Sequence, residues 1–129
     1  MNKINIKLLP TEAEEQATLF SWATMKSGKY PELKLLFHIP NGGQRSKSEA
    51  ARFKAEGVKP GVPDIFLPVA RGHWNGLFIE LKRQKGGKIS PAQRKWQEDL
   101  LRQGYLSTIA CGWKDAAKII EDYLNAKEW

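Results

Sequence analysis

Two short apolar segments, separated by a turn within residues 61–86, constrain the fold of this chain most strongly. In each segment aliphatic residues alternate with other types, and successive side chains of a β-strand point to opposite faces of a sheet. The pattern predicts two strands, near residues 64–69 and 77–82, that form a hairpin with one buried face. That face is made of Ile65, Leu67, Val69, Leu77, Ile79 and Leu81.

The opposite face of this hairpin carries charged side chains. Alternation places Asp64, Glu80 and Lys82 together on it, because opposed residues of a hairpin share a face. Pairing Val69 with Leu77 would place Asp64 opposite Lys82 and diagonal to Glu80, at about 7–8 Å. A turn of different length would shift this register by two residues. A cross-strand ion pair and an active site explain the pattern equally well.

Capping signals and apolar runs divide the chain into eight elements that follow an N-terminal arm of residues 1–10. Helices are predicted over 11–28, 46–57, 90–104 and 114–126, and strands over 33–40, 64–69, 77–82 and 105–111. Capping boxes at Thr11 and Ser90 begin the first and third helices. Trp96 and Leu100, four residues apart on the third helix, are expected to pack in the core. The order α-β-α-β-β-α-β-α predicts an α/β sheet covered by helices.

Composition excludes several classes of protein. No apolar segment is long enough to span a membrane, and the N-terminus lacks a secretory signal. A single cysteine, Cys111, allows neither an intrachain disulfide nor a cysteine-rich zinc site, so a cytoplasmic location is expected. The 21 basic and 14 acidic residues give a net charge of +7, which favours a polyanionic partner.

The charged face has the chemistry of a hard-metal site. Two carboxylates offer the oxygen ligands that Mg²⁺ or Mn²⁺ prefers, and such an ion polarises a phosphate and lowers the pKa of a bound water. A neighbouring lysine can orient that water. Zinc suits the chain less, because neither His38 nor His73 is spaced with a second histidine or cysteine. These residues suit hydrolysis of a phosphodiester.

The dipeptide Pro63-Asp64 and the tripeptide Glu80-Leu81-Lys82 resemble the PD-(D/E)xK nuclease signature. The blocks HIPNGG, GVKPGVPDIFLPVARG, GLFIELK and GGKISPAQRKW, with the pair GY at 104–105, are similar in order and spacing to the VRR-NUC (virus-type replication-repair nuclease) family. The resemblance is greatest to its stand-alone phage and prophage members. It implies a restriction-endonuclease-like mixed β-sheet flanked by helices, within a single nuclease domain over residues 11–129.

The resemblance also implies roles for individual residues. Asp64 and Glu80 would hold the metal, helped by the carbonyl of Leu81, and Lys82 would act on the attacking water. Gln93 would lie at the edge of the site, although a capping contact with Ser90 explains it equally well. The family adds a glutamate from the first helix, and both Glu12 and Glu15 are candidates. A motif near the site would include His38, Asn41 and Gly42.

The implied function is a metal-dependent, structure-selective DNA endonuclease that cuts branched substrates such as Holliday junctions or flaps. The expected phosphate-backbone contacts are Arg45, Lys47, Arg83, Lys85 and Lys88. The family analogy further implies a homodimer in a bacterial host or phage, without a membrane or organic cofactor. Two alternatives are a non-catalytic nucleic-acid-binding module that keeps the nuclease fold and a partner-binding domain anchored by tryptophans.

Overall fold

The computed structural model describes residues 8–40 and 46–126, and its elements follow the predicted order. They are α1 (Glu12–Lys26), β1 (Phe37–His38), α2 (Lys47–Ala55), β2 (Ile65–Leu67), β3 (Leu77–Lys82), α3 (Pro91–Arg102), β4 (Leu106–Cys111) and α4 (Trp113–Leu124), with a 3-10 helix at Pro31–Leu35 before β1. None of the helices within these ranges is long and apolar enough to cross a bilayer.

The four strands form one mixed sheet in the order β1-β2-β3-β4. The first three strands are antiparallel neighbours, whereas β3 and β4 are parallel. A parallel pair needs a crossover connection, and α3 provides it. On one face the aliphatic side chains of the predicted hairpin are buried against α1 and α4, where Leu19, Ala116 and Ile120 are fully buried. The buried face is therefore confirmed.

The predicted register of the hairpin is wrong by two residues. Leu77 pairs with Leu67, whereas the sequence had suggested Val69. The strand β2 ends at Leu67, before Pro68, because proline has no N–H to donate to the ladder. A longer connection follows, in which Arg71 and Trp74 form an isolated bridge.

The predicted strand over 33–40 is wrong in its first three residues, which belong to the 3-10 helix of residues 31–35. Within this run only Phe37 and His38 form a strand. Leu33 and Leu36 are buried, and their spacing of three residues matches the 3-10 period. Pro31 favours the first turn of a helix. The apolar run was therefore read with the wrong period.

Side-chain caps begin three of the helices where the sequence predicted them. Thr11 with Glu14 and Ser90 with Gln93 form complete capping boxes, and Ser46 caps α2. Neither α2 nor α3 contains a buried residue. The expectation that Trp96 and Leu100 pack in the core is wrong, because both are only half-buried on α3. Helix α3 packs against β4, whereas α2 lies at the periphery of the sheet.

Candidate active site

Asp64 lies immediately before β2 and is fixed by bonds to two neighbouring strands. Its backbone carbonyl accepts a hydrogen bond from the N–H of Ile39 at 2.6 Å and lies 2.9 Å from Nδ1 of His38. Its carboxylate Oδ2 accepts a hydrogen bond from the N–H of Leu81 at 2.9 Å. Burial raises the pKa of Asp64, although the bond from Leu81 and the nearby His38 and Lys82 oppose that shift.

Glu80 lies inside β3 and is only 6% exposed. Continuing the observed register places it level with Asp64. Its Oε1 accepts a hydrogen bond from Nε2 of Gln93 at 2.6 Å, whereas its buried Oε2 has no partner among the described residues. Burial first, and then the Asp64 carboxylate, raise the pKa of Glu80 to about 7, against the opposing effect of Lys82.

Lys82 holds its ammonium group between two carboxylates. Its Nζ lies 3.4 Å from Oε1 of Glu80 and 4.0 Å from Oε1 of Glu12. The side chain is 10% exposed because the segment after β3 folds over it. A Cβ added to Gly87 would lie 2.9 Å from the Cβ of Lys82. A glycine is therefore needed beside this lysine.

Gln93 performs both roles that the sequence suggested for it, and it performs them together. Its Oε1 accepts a hydrogen bond from the N–H of Ser90 at 2.9 Å, which completes the capping box of α3. Its Nε2 donates to Glu80 at the same time. Because the two atoms of one amide serve the two partners, the side chain does not have to switch between them.

The two candidate glutamates of α1 have different environments. Glu12 lines an open cleft of about 260 Å³ together with Ala13, Gln16, His38, Pro40, Asp64 and Leu81. Glu15 does not line it and is 1% exposed. Its Oε1 accepts a hydrogen bond from the N–H of Trp113 at 3.3 Å, at the first turn of α4. Glu15 thus supplies the cap that Gly112, which has no side chain, cannot provide.

Gln16 is a cleft residue to which the sequence reasoning gave no role in the site. It lies four residues after Glu12, so the two side chains share one face of α1. That spacing was the available signal. The spacing alone could not show which glutamate shares the cleft with Gln16, because Gln16 also follows Glu15 directly. Glu15 is held away from the cleft by its contact with Trp113, which is distant in the sequence.

Comparison with known proteins identifies the family of this chain. The model of the VRR-NUC domain matches residues 10–113. The chain belongs to the VRR-NUC family. A solved structure described as a VRR_NUC domain protein is 31% identical, covers 93% of each chain and superposes with a TM-score of 0.80. No curated protein matches the chain.

Membership of the VRR-NUC family confirms the restriction-endonuclease-like α/β fold. It also makes this a nuclease-type domain, which implies DNA as the substrate. VRR-NUC nucleases in general depend on a divalent metal. The assignment of individual residues to metal and substrate remains a prediction.

The basic residues predicted to contact DNA fall into three groups. Lys47, Lys85 and Lys88 are exposed. Arg83 is half-buried, and its guanidinium donates to the carbonyls of Leu9 and Pro10, at 3.1 and 3.2 Å, which fixes the chain just before α1. Arg45 lies outside the described residues, as do Asn41 and Gly42 of the near-site motif.

The donor atoms of this VRR-NUC site suit a divalent cation that takes its other ligands from water and substrate. Within residues 8–40 and 46–126 no group of three acidic, histidine or cysteine side chains is close enough to hold a metal alone. Asp64 and Glu80 are nevertheless adjacent, and the buried Oε2 of Glu80 lacks a partner. Mg²⁺ is commonly bound by one or two carboxylates, with waters and substrate phosphates as the other ligands. The site therefore fits such an ion.

Proposed function

We propose that this VRR-NUC protein is a metal-dependent, structure-selective endodeoxyribonuclease that cuts branched DNA such as Holliday junctions or flaps. The observation that carries the proposal is the pair of adjacent carboxylates, Asp64 and Glu80, with a buried, unpartnered Oε2 on Glu80. A buried carboxylate without a partner is costly. A cation between the two groups removes that cost.

The cation is Mg²⁺ or Mn²⁺, held by Asp64, Glu80 and the carbonyl of Leu81. When bound, it polarises the phosphodiester and lowers the pKa of a water. Gln93 and Lys82 both contact Oε1 of Glu80, which leaves Oε2 as the atom available to the metal. The contacts of Gln93 and Lys82 with Oε1 fix the orientation of the Glu80 carboxylate.

Lys82 orients the attacking water and neutralises charge that develops at the phosphate. Glu12 is the helix α1 acid of the site, because it lies in the cleft and its carboxylate approaches Lys82. Glu15, the other candidate, acts instead as the cap of α4. His38 borders the cleft beside Asp64 and positions the backbone on which Asp64 lies.

Shape, not base sequence, decides which DNA is cut. None of the described elements is a recognition helix with base-reading side chains, so exposed lysines contact phosphates, which carry no sequence information. The proposed backbone contacts are Arg45, Lys47, Arg83, Lys85 and Lys88, and Asn41 and Gly42 belong to the near-site motif of the family. Symmetric cutting of a junction requires two sites, which a homodimer provides. A DNA substrate agrees with an intracellular enzyme encoded by a bacterium or phage.

The test combines substrates, metals and variants. Purified protein is incubated with four-way-junction, flap and linear duplex DNA in Mg²⁺, Mn²⁺ or EDTA. Asp64→Ala and Lys82→Ala should abolish cutting. Their matched controls, Asp122→Ala and Lys118→Ala, remove the partners of an exposed ion pair on α4 and should cut normally.

Three results would contradict the proposal. Wild-type protein that binds DNA but cuts none with either metal is a non-catalytic binding module. Cutting that survives both site substitutions places the active site elsewhere. Equal cutting of linear and branched DNA removes the structure selectivity. Gel filtration over a range of concentrations tests the homodimer.

A further inference from the structure

An apolar groove lies beside the cleft and has no role in the chemistry described above. We call it the Trp96 groove. Its volume is about 340 Å³, within the range of small-ligand sites. It is lined by Ile39, Pro40, Gly57, Val58, Lys59, Val62 and Trp96.

Both walls of the Trp96 groove belong to segments that are hydrogen-bonded to residues of the candidate active site. Pro40 lines both the groove and the cleft, so the two cavities are neighbours. The N–H of Ile39, on one wall, donates to the carbonyl of Asp64. Trp96, on the other, lies one turn of α3 beyond Gln93, which contacts Glu80. A group in the groove is therefore held next to the reacting phosphate.

The floor of the Trp96 groove is fixed by a close backbone contact. Gly61 has a φ of +90°, and a Cβ at that position would lie 2.6 Å from the backbone of Ala92. Only glycine permits this approach of the 57–63 loop to the first turn of α3. The groove is thus formed before a ligand arrives.

The charge around the Trp96 groove indicates the class of ligand. Lys59 lines it, and the segment of residues 46–59 that leads to it holds four basic and two acidic residues. The chain as a whole carries +7. An apolar slot with an aromatic wall and a basic border is the arrangement that holds a single-stranded nucleotide, with the base stacked and the phosphate neutralised.

We propose that the Trp96 groove binds an unpaired nucleobase of the DNA substrate, stacked on Trp96, with Lys59 near the adjoining phosphate. This inference rests on the proposed nuclease function and deepens it. In a paired duplex both faces of a base are covered by its neighbours. The groove therefore selects DNA with an unpaired nucleotide at the branch, as in a flap, and this gives selectivity for flaps a physical origin.

The position of that nucleotide follows from the helix. One turn separates Gln93 from Trp96, roughly 5 Å along the axis. Because this separation is short, the bound base should lie within a few nucleotides of the cut phosphate along the strand. A substrate that lacks a base at one position in this interval should be bound and cut poorly, and the same lesion farther away should have little effect.

The experiment scans an abasic site through the unpaired strand of a flap substrate. Binding is measured by fluorescence anisotropy in EDTA, and cutting is measured in Mg²⁺. For wild-type protein one abasic position should weaken binding about 5- to 150-fold, the factor that corresponds to stacking of one base on an aromatic side chain. Trp96→Ala should bind intact DNA with a similar loss and should no longer respond to the abasic site.

Two control variants separate stacking from a structural role. Trp96→Phe keeps an aromatic face and should keep the response to the abasic site. Trp74→Ala removes a half-buried tryptophan from a different groove, which Leu106 and Ile119 also line, and should respond as wild type does. Urea unfolding of each variant shows whether it folds, and the scan on wild-type protein tests the inference without any substitution.

Several outcomes would overturn the inference. A flat abasic scan with wild-type protein that binds and cuts normally refutes the nucleobase site and leaves the nuclease proposal intact. A Trp96→Ala variant that still responds to the abasic site does the same. A shift of Trp96→Ala to a smaller species in gel filtration, with equal losses on intact and abasic DNA, makes the groove a contact between copies of the chain. Wild-type protein that binds no branched DNA refutes both proposals.

Discussion

Replacing Gln93 with glutamate separates the two jobs of this side chain. The new carboxylate still accepts the hydrogen bond from the N–H of Ser90, so the capping box of α3 is kept. The atom that donates to Oε1 of Glu80 becomes an oxygen. The new carboxylate at position 93 then faces the buried carboxylate of Glu80, and only a proton shared between the two removes their repulsion.

The magnitude of this effect depends on pH. A hydrogen bond to a charged group contributes about 1.5–3 kcal/mol, so Gln93→Glu should lower the free energy of unfolding by about 2–3 kcal/mol at pH 8. The pKa of Glu80 is already about 7 and rises further in the variant. A raised folded-state pKa favours folding below the unfolded value, and that stability is lost as the pH rises. Near pH 5 most of the deficit should therefore disappear.

The assay is urea unfolding at pH 5 and pH 8, followed by tryptophan fluorescence, together with cutting of flap DNA. The matched control is Glu14→Gln, the reverse exchange at the same capping-box position of α1, where Glu14 is exposed and accepts from the N–H of Thr11. It should change stability by less than about 0.5 kcal/mol at either pH. Equal losses at both pH values for Gln93→Glu, or no loss at pH 8, would refute the reasoning.

Three further predictions concern stability and the cation. Gly57→Ala should lower the free energy of unfolding by about 1–2 kcal/mol, because it causes backbone strain alone. Gly61→Ala also brings a Cβ against Ala92 and should cost about 1–3 kcal/mol more in urea unfolding. Equal losses for the two variants would contradict this. Glu15→Ala removes the cap of α4 and should cost about 1–2 kcal/mol of unfolding free energy. Glu12→Ala should leave stability nearly unchanged and slow cutting about tenfold, and the opposite outcome would exchange their roles. Without divalent cations, the melting temperature of the wild-type protein should fall more than that of Glu80→Gln as the pH rises from 5 to 8. Mg²⁺ should reduce this fall. If the melting temperatures of the two proteins change in parallel with pH, Glu80 is not the cause.

Local signals in the sequence were sufficient for most of the fold. Capping boxes depend on side chains three residues apart, and strand alternation depends on neighbours two apart, so helix starts and the buried hairpin face were correctly predicted. The register was not, because Pro68 ends β2 and lengthens the turn. The 3-10 helix before β1 was missed because an apolar run of eight residues fits more than one period.

The placement of the candidate site residues on one face of the sheet was also predictable from local signals, but their burial and tertiary contacts were not. Alternation placed Asp64, Glu80 and Lys82 on one face of the sheet. It did not indicate that Glu80 and Lys82 would be buried, since that results from α3 and the segment after β3 closing over them. The choice between Glu12 and Glu15 depended on α4, almost one hundred residues away along the chain. Contacts of that range leave no mark in a local pattern.

Because α2 lies at the periphery, affinity for DNA and global stability can change independently in this protein. Because none of its nine residues is buried, the helix contributes little to global stability, and a helix this short is marginal alone in water. Its amides should therefore exchange with solvent through local opening, far more readily than those of β3. Substitutions of Lys47, Arg52 or Lys54 can then tune affinity for DNA with little penalty in folding.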